Sequence, residues 1–258
     1  MNLSKNAFKA ALRAKQVQIG LWCSLCSNIG AEILADSGFD WILIDTEHAP
    51  NELPSVLSQL QVFARGAATS IVRPAWNDSV LVKRLLDIGA QTLLIPFVQD
   101  EAEAERAVAS CRYPPEGIRG ITTGSRAARF GRVNNYLMEA DREICVLVQV
   151  ETLNAIDKLE AIAGTDGVDG VFIGPSDLSA SMGHIGNPQH PNVQQVIEDA
   201  VKRVTAAGKA AGILAPLESH ARRYIEQGYQ FVAVGSDIGL LAKAADSLAD
   251  KARTWSSV

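Results

Sequence analysis

Apolar residues along this chain gather in short unbroken runs rather than in polar–apolar alternation. Eight such runs recur, at 18–22 (QIGLW), 41–45 (WILID), 70–73 (SIVR), 92–96 (TLLIP), 146–150 (VLVQV), 170–174 (GVFIG), 211–215 (AGILA) and 231–235 (FVAVG). Runs of this kind fit parallel strands covered on both faces. Between them apolar positions recur with helical spacing, as at 53–64, 79–88, 192–207 and 218–227. Gly38, Gly89, Gly208 and Gly228 each stand just past such a segment and shortly before the next strand. A left-handed C-terminal cap is wanted there, and glycine enters it without a Cβ clash.

Strand–helix alternation repeated eight times in 258 residues predicts an α/β fold, a (β/α)8 TIM barrel. A doubly wound parallel sheet is the alternative, but no GxGxxG follows the first strand to support a dinucleotide site. No linker, composition shift or internal repeat divides the chain, so residues 1–258 read as a single domain. One connection, 97–145, is long. It carries a helical segment at 101–110, then YPPEGIRG at 113–120 and an arginine-rich stretch. Loops of that length in a compact domain are usually functional. Residues 6–15 read as a short amphipathic surface helix, and 238–255 as a C-terminal helix with an apolar face.

Composition narrows the partners. With 24 Lys and Arg against 29 Asp and Glu the formal net charge is −5, and no basic block stands out. That counts against nucleic acid, whose phosphates call for clustered cations. No run approaches the roughly 20 apolar residues needed to span a bilayer. The basic first thirty-one residues lack a cleavage site. A cytoplasmic protein acting on small molecules is expected. Cys23 and Cys26 form a CxxC, but it follows a strand-like run and no second pair completes a zinc site. All four cysteines are expected to be ordinary free thiols of a reducing compartment.

In a barrel of this type the chemistry sits at the C-terminal ends of the strands. The second strand runs into Asp45-Thr46-Glu47-His48 and the third into Arg73-Pro74-Ala75-Trp76. The fifth ends in Gln149-Val150-Glu151 and the sixth in Gly174-Pro175-Ser176-Asp177. Glu151 and Asp177, on neighbouring strands, make a hard oxygen pair suited to Mg2+ or Mn2+. Alternatively each marks a helix start, Asp177 as an N-cap and Glu151 ahead of Thr152. His48 is a candidate general base or a rim histidine without chemistry. Arg73, followed by Pro74, can stabilise an oxyanion or simply pair with Asp45. None of the nine lysines ends a strand, which counts against Schiff-base and pyridoxal chemistry.

Four ordered motifs then point to a family. WILIDTEHAPN at 41–51, VRPAWND at 72–78, YPPEGIRG at 113–120 and GVFIGPSDLS at 170–179 resemble those of the class II, metal-dependent pyruvate aldolases. The resemblance covers essentially the whole chain. It implies retro-aldol cleavage of a 4-hydroxy-2-oxo acid to pyruvate and an aldehyde, with a divalent cation (Mg2+, Mn2+ or Co2+) on Glu151 and Asp177. It implies His48 as base, Arg73 at the pyruvate enolate with Asp45 supporting it, and Asp87 raising the basicity of the histidine. Gln149, the backbone N–H groups of Ser176 and Asp177, and Leu214 are similar to substrate-binding positions of the family. The leading substrate is 4-hydroxy-2-oxoheptanedioate, giving succinate semialdehyde. Sugar-acid cleavage, oxaloacetate decarboxylation and an idle barrel that merely binds a 2-oxo acid are the alternatives.

The family assembles as hexamers of dimers that exchange a C-terminal helix, so a homo-oligomer is expected. Two departures bear on the aldehyde. Cys23 and Cys26 stand where small non-thiol residues are usual, and the segment after Gly120 is one residue short. That segment is expected to overhang the pocket, with Arg126 or Arg129 reading the far end of the aldehyde.

Overall fold

The computed structural model describes residues 1–255. Eight parallel strands close into a barrel in chain order, with the last paired to the first. They are β1 Gln18–Cys23, β2 Trp41–Asp45, β3 Thr69–Arg73 and β4 Thr92–Ile95. The circuit continues with β5 Cys145–Val150, β6 Gly170–Ile173, β7 Ala210–Leu214 and β8 Phe231–Ser236. Helices of the first half are α1 Ala7–Arg13, α2 Asn28–Ala35, α3 Leu53–Phe63, α4 Ser79–Asp87, α5 Glu101–Cys111 and α6 Tyr136–Glu143. Those of the second half are α7 Leu153–Asp157, α8 Leu159–Gly164, α9 Pro175–Ser181, α10 Pro191–Ala206, α11 Glu218–Gln227 and α12 Asp237–Trp255. Each expected strand is present with its bounds within one residue. Gly38, Gly89, Gly208 and Gly228 have φ of 88°, 101°, 76° and 107°, the left-handed caps their spacing called for.

Residues alternate along each strand between two cores. Outward side chains such as Ile42, Ile44, Val72 and Val148 pack beneath the helices. Inward ones such as Trp41, Leu43, Ile71, Leu147, Phe172 and Phe231 fill the barrel. Such a lumen is a packed core and not a pore. Two strand glycines make room for its rings. A Cβ on Gly20 would lie 2.1 Å from the Trp41 ring, and one on Gly212 the same distance from Phe231.

The first helix is not a surface element. Phe8 of α1 is buried, with its ring edge-on to Trp41 (centroids 6.1 Å apart) and to Phe231 (5.8 Å). Lys9 is buried with it and pairs with Asp169 at 3.1 Å. An open barrel end would leave two large aromatic rings against water, so α1 stoppers the end where the strands begin. The long connection also holds more order than expected. Beyond α5 it forms α6, which has no side-chain N-cap bond and buries only Tyr136 and Ala140.

Candidate active site

Inward parity along the strands leads directly to the polar rim. Trp41 and Leu43 of β2 face the lumen, so Asp45 does too, and the same alternation carries Ile71 to Arg73, Leu147 to Gln149, and Gly212 to Leu214. Asp45 and Arg73 are register partners across β2 and β3. Arg73 donates from Nε and Nη2 to the two Asp45 oxygens at 2.9 and 2.7 Å. Its Nη1 lies 2.8 Å from Glu47 Oε2 and 3.4 Å from Gln149 Oε1. All of this happens in the dry part of the rim, since Asp45, Arg73 and Gln149 are buried. Trp22 lies under the guanidinium, 5.5 Å from ring centroid to Cζ. A guanidinium carries five N–H groups. The two Asp45 contacts and the Gln149 contact take three, and the poorly aligned Glu47 contact leaves an Nη1–H and an Nη2–H for a ligand.

Gln149 turns its amide nitrogen to Glu151 Oε2 at 2.6 Å, and the Phe97 backbone N–H donates to Oε1 at 3.1 Å. Glu151 reaches this point only because residue 174 is glycine. A Cβ there would stand 2.6 Å from Oε2 and 2.8 Å from the glutamate Cβ. Burial pushes the Glu151 carboxyl up to about 7, with the negative charges of Asp177 and Glu47 adding to it and the Gln149 hydrogen bond and Arg73 working against it. Glu47 is raised for the same first reason, burial, opposed by Arg73 and His48 and reinforced by Asp45 and Asp177. Its buried Oε2 lacks a well-aligned hydrogen bond despite the close guanidinium. Four carboxylates, two of them in contact with Arg73, therefore share this rim with one arginine.

Neither metal candidate is a helix cap. Gly174 is the N-cap of α9, and Asp177 sits in its first turn, exposed and without a hydrogen bond among the described residues. Thr152 caps α7 through its own hydroxyl, at 3.2 Å from the Ala155 N–H, so Glu151 is free of that duty. The pair forms no closed cage. Among the described residues no group of three or more His, Cys, Asp or Glu side chains is set to enclose an ion. His48 stands on the rim with its side chain 66% exposed and Nε2 3.8 Å from Glu47 Oε1.

A family model for HpcH/HpaI aldolase/citrate lyase matches residues 18–244. The chain belongs to this family. It is 58% identical over 245 residues to the 4-hydroxy-2-oxo-heptane-1,7-dioate aldolase of Klebsiella pneumoniae, covering 95% of this chain and 92% of that one. It is 56% identical over 254 residues to the pyruvate aldolase of Rhizobium etli, covering 98% and 100%. A crystal structure of an HpcH/HpaI aldolase/citrate lyase family protein from Burkholderia cenocepacia superposes with a TM-score of 0.94 at 40% identity, covering 96% and 100%. As an HpcH/HpaI aldolase the protein is a carbon–carbon lyase.

The barrel brings Asp45, His48, Arg73, Gln149, Glu151, Ser176, Asp177 and Leu214 to one rim, at or just beyond the ends of β2, β3, β5, β6 and β7. Asp87 does not join them. Helix α4 runs back along the barrel, so its last residue lies where the strands begin, at the opposite end from His48. There Asp87 accepts from Arg119 Nη2 at 2.8 Å, and its carbonyl takes the Ala127 N–H. Within one chain it cannot act on His48. The stretch after Gly120 does not overhang this chain's own pocket either. Arg126 donates to Ile88 O at 2.7 Å and Arg129 to Ser4 Oγ at 3.2 Å, both at that same far end.

Two functional positions went unread. Glu47, two residues past Asp45, keeps the inward parity, and that parity was the available signal. Asp237 accepts the Ser24 and Leu25 N–H groups at 2.9–3.0 Å and fixes the exit of β1. Nothing local in the sequence marks that long-range contact. Cys23, Cys111 and Cys145 are buried and Cys26 half-buried, all free, and burial raises every one of these thiols.

Proposed function

We propose that this chain is a divalent-metal-dependent pyruvate aldolase that reversibly cleaves 4-hydroxy-2-oxo acids to pyruvate and an aldehyde. The preferred substrate in this reading is 4-hydroxy-2-oxoheptanedioate, giving succinate semialdehyde. The observation that carries it is a locked, buried Arg73 with N–H groups to spare beside the Glu151–Asp177 pair, where burial and the negative charge of Asp177 push the Glu151 carboxyl up to about 7. Glu151 and Asp177 fit Mg2+, Mn2+ or Co2+. Both are hard oxygen donors, Asp177 is unpartnered, and the rim carries more negative charge than Arg73 can balance. When bound, such a cation supplies the positive charge that polarises the keto oxygen of a 2-oxo acid.

The side chains account for the rest. His48, open to solvent, takes the proton from the 4-hydroxyl as the C3–C4 bond breaks. The bonding electrons pass toward the keto oxygen, and a spare N–H of Arg73 donates to that oxygen as its charge grows. A proton delivered to C3 then releases pyruvate. The Ser176 and Asp177 N–H groups at the start of α9 hold the substrate carboxylate. Leu214, half-buried against the aromatic lumen, packs by the aldehyde. In this reading Asp87 acts on His48 only between copies of the chain. The protein works in the cytoplasm, in keeping with four free thiols, and no helix among the described residues is long and apolar enough to cross a membrane.

The test is an aldol assay with pyruvate and a panel of acidic and neutral aldehydes after chelation. Activity vanishes without added metal, returns with Mg2+, Mn2+ or Co2+, and borohydride with pyruvate leaves no adduct on the chain. Full activity in chelator, or a trapped lysine, overturns the reading. Turnover on oxaloacetate faster than any cleavage would make the decarboxylase the main activity.

A further inference from the structure

The segment YPPEGIRG at 113–120 has no part in the chemistry above, yet its backbone is closely held. The Gly117 N–H donates to Tyr113 O at 3.1 Å, Ile118 N–H to Ala109 O at 2.8 Å and Arg119 N–H to Arg112 O at 2.9 Å. The segment thus folds back over the end of α5. A Cβ on Gly117 would collide with Ala109 O and Arg112 O, so only glycine allows that return. It delivers Arg119 into the interior, where the side chain has no solvent exposure. The Tyr113 ring lies against the guanidinium, 4.5 Å from centroid to Cζ. Tyr136 of α6 meets that ring edge-on, with centroids 6.5 Å apart.

This arginine does little for the fold. Its Nη2 donates to Asp87 Oδ1 at 2.8 Å, while Nε and Nη1 are buried without a hydrogen-bond partner. Asp141 is near enough to feel its charge, but the buried Oδ1 there is unpartnered as well. Among the described residues Arg119 has no ion pair other than Asp87. A buried cation with most of its donors unmet costs more than one partly exposed ion pair returns. What the arrangement secures is the position of Asp87. That residue is the last of α4, where the negative end of the helix dipole repels a carboxylate. Its side chain is 25% exposed, so without Arg119 it would turn freely into water. With Oδ1 tied from inside, Oδ2 is left without a hydrogen bond among the described residues.

We infer that Arg119 is a positioning residue, which fixes the direction of the Asp87 carboxylate so that its free oxygen can accept from His48 of another copy. The inference rests on the reading that Asp87 acts on His48 between copies. Tyr113, backed by Tyr136, keeps the guanidinium from tilting away from its carboxylate. The YPPEGIRG segment then serves the active site of a neighbouring copy and not that of its own chain.

The test follows aldol cleavage across pH with the assembled full chain, for Arg119→Met, Arg119→Lys, Asp87→Asn and the double variant Arg119→Met, Asp87→Asn. His48 has Glu47 3.8 Å away in its own chain, and every variant keeps that contact. A fixed carboxylate favours the protonated imidazole, so its loss moves the acid limb of the kcat profile to lower pH. Arg119→Met and Asp87→Asn each show that shift, lower kcat by about tenfold or more, and leave KM for the 2-oxo acid within about twofold. The double variant is no slower than Asp87→Asn, because both changes disable one device. Arg119→Lys keeps the charge without the flat fork, and its acid limb also lies below wild type. It carries the test if Arg119→Met does not fold. Asp87→Asn slow while the folded Arg119 variants match wild type overturns the role of Arg119 and leaves that of Asp87. Losses that add in the double variant overturn it too. So does failure of both Arg119 variants to fold and assemble, by circular dichroism and sedimentation, since Arg119 would then be a prop of the structure. Asp87→Asn with wild-type kcat and acid limb removes the reading of Asp87 itself, and this inference with it.

Discussion

Arg73 shows how much one side chain can be asked to do. Its pairing with Asp45 and its role at an enolate looked like competing readings, yet the geometry lets both hold. The Asp45 carboxylate and the Gln149 amide fix the plane of the guanidinium, with Glu47 close by, and the N–H groups left over are thereby aimed. Fixing a donor before the charge develops is what makes it effective, and loss of one such donor costs about 100- to 1,000-fold in kcat. Arg73→Lys keeps the charge but not the fork. It is expected to lower kcat about 100-fold with a smaller change in KM for the 2-oxo acid, in steady-state assays on folded protein. Equal kcat would remove Arg73 from the reaction. Gly174 makes a second test at this scale. Gly174→Ala places a methyl against Glu151, so the carboxylate must swing away. The clash with the Glu151 Cβ at 2.8 Å remains whatever the rotamer, so metal affinity measured by titration calorimetry is expected to fall at least tenfold together with a lowered melting temperature.

The strands and their outer helices were legible because each signal was local. Unbroken apolar runs, helical spacing and capping glycines are all set within ten residues of one another, and they placed both bounds of β1 to β8 within one residue. The rim residues followed from strand parity. What lay beyond local reading was contact across the chain. Helix α6 has no cap and a thin apolar face, so its order comes from what it touches. Asp87 came from the resemblance alone, and α4 carries it the length of the barrel from the rim of its own chain. Arg126 and Arg129 lie at that same far end and within one chain do not reach the rim.

The tie between the N-terminal segment and α6 gives an element-level prediction. Glu143 accepts from Lys5 Nζ at 2.7 Å and from the Asn6 N–H at 2.8 Å. Burial alone would raise its carboxyl, but these two donors outweigh it and hold it below the ordinary value. A depressed carboxylate stabilises the fold at pH above its unfolded value and loses that contribution as pH falls through the folded one. Glu143→Gln is therefore expected to cost about 1–2 kcal/mol at pH 7, roughly 2–4 °C in melting temperature. The difference closes on going from about pH 5 toward pH 3. Thermal melts of both proteins across that range would show it, and a gap that does not change with pH would refute it.

At the scale of the molecule the unfinished part is α12. It is 19 residues long and buries only Asp237 on its own barrel. Leu240, Leu241, Leu248 and Trp255 are 54–69% exposed. Fully burying a leucine is worth about 1.5–3 kcal/mol, so this face is expected to find another copy of the chain, in keeping with the exchanged helix of the family. The protein should sediment as a multiple of 27.6 kDa at micromolar concentration. Leu241→Glu with Leu248→Glu, one face apart by two turns, should reduce it to smaller species while circular dichroism keeps its barrel signature, because β1 to β8 close without α12. The same variant separates the two places where Asp87 can act. Within a chain it serves Arg119 and the fold, so a dissociated, folded protein keeps that contact. Its expected effect on His48 can pass only between copies. If the dissociated variant retained the kcat and pH profile of wild type, Asp87 would have no part in the base. A lowered kcat with an altered acid limb would place the active unit in the assembly and not in the single barrel.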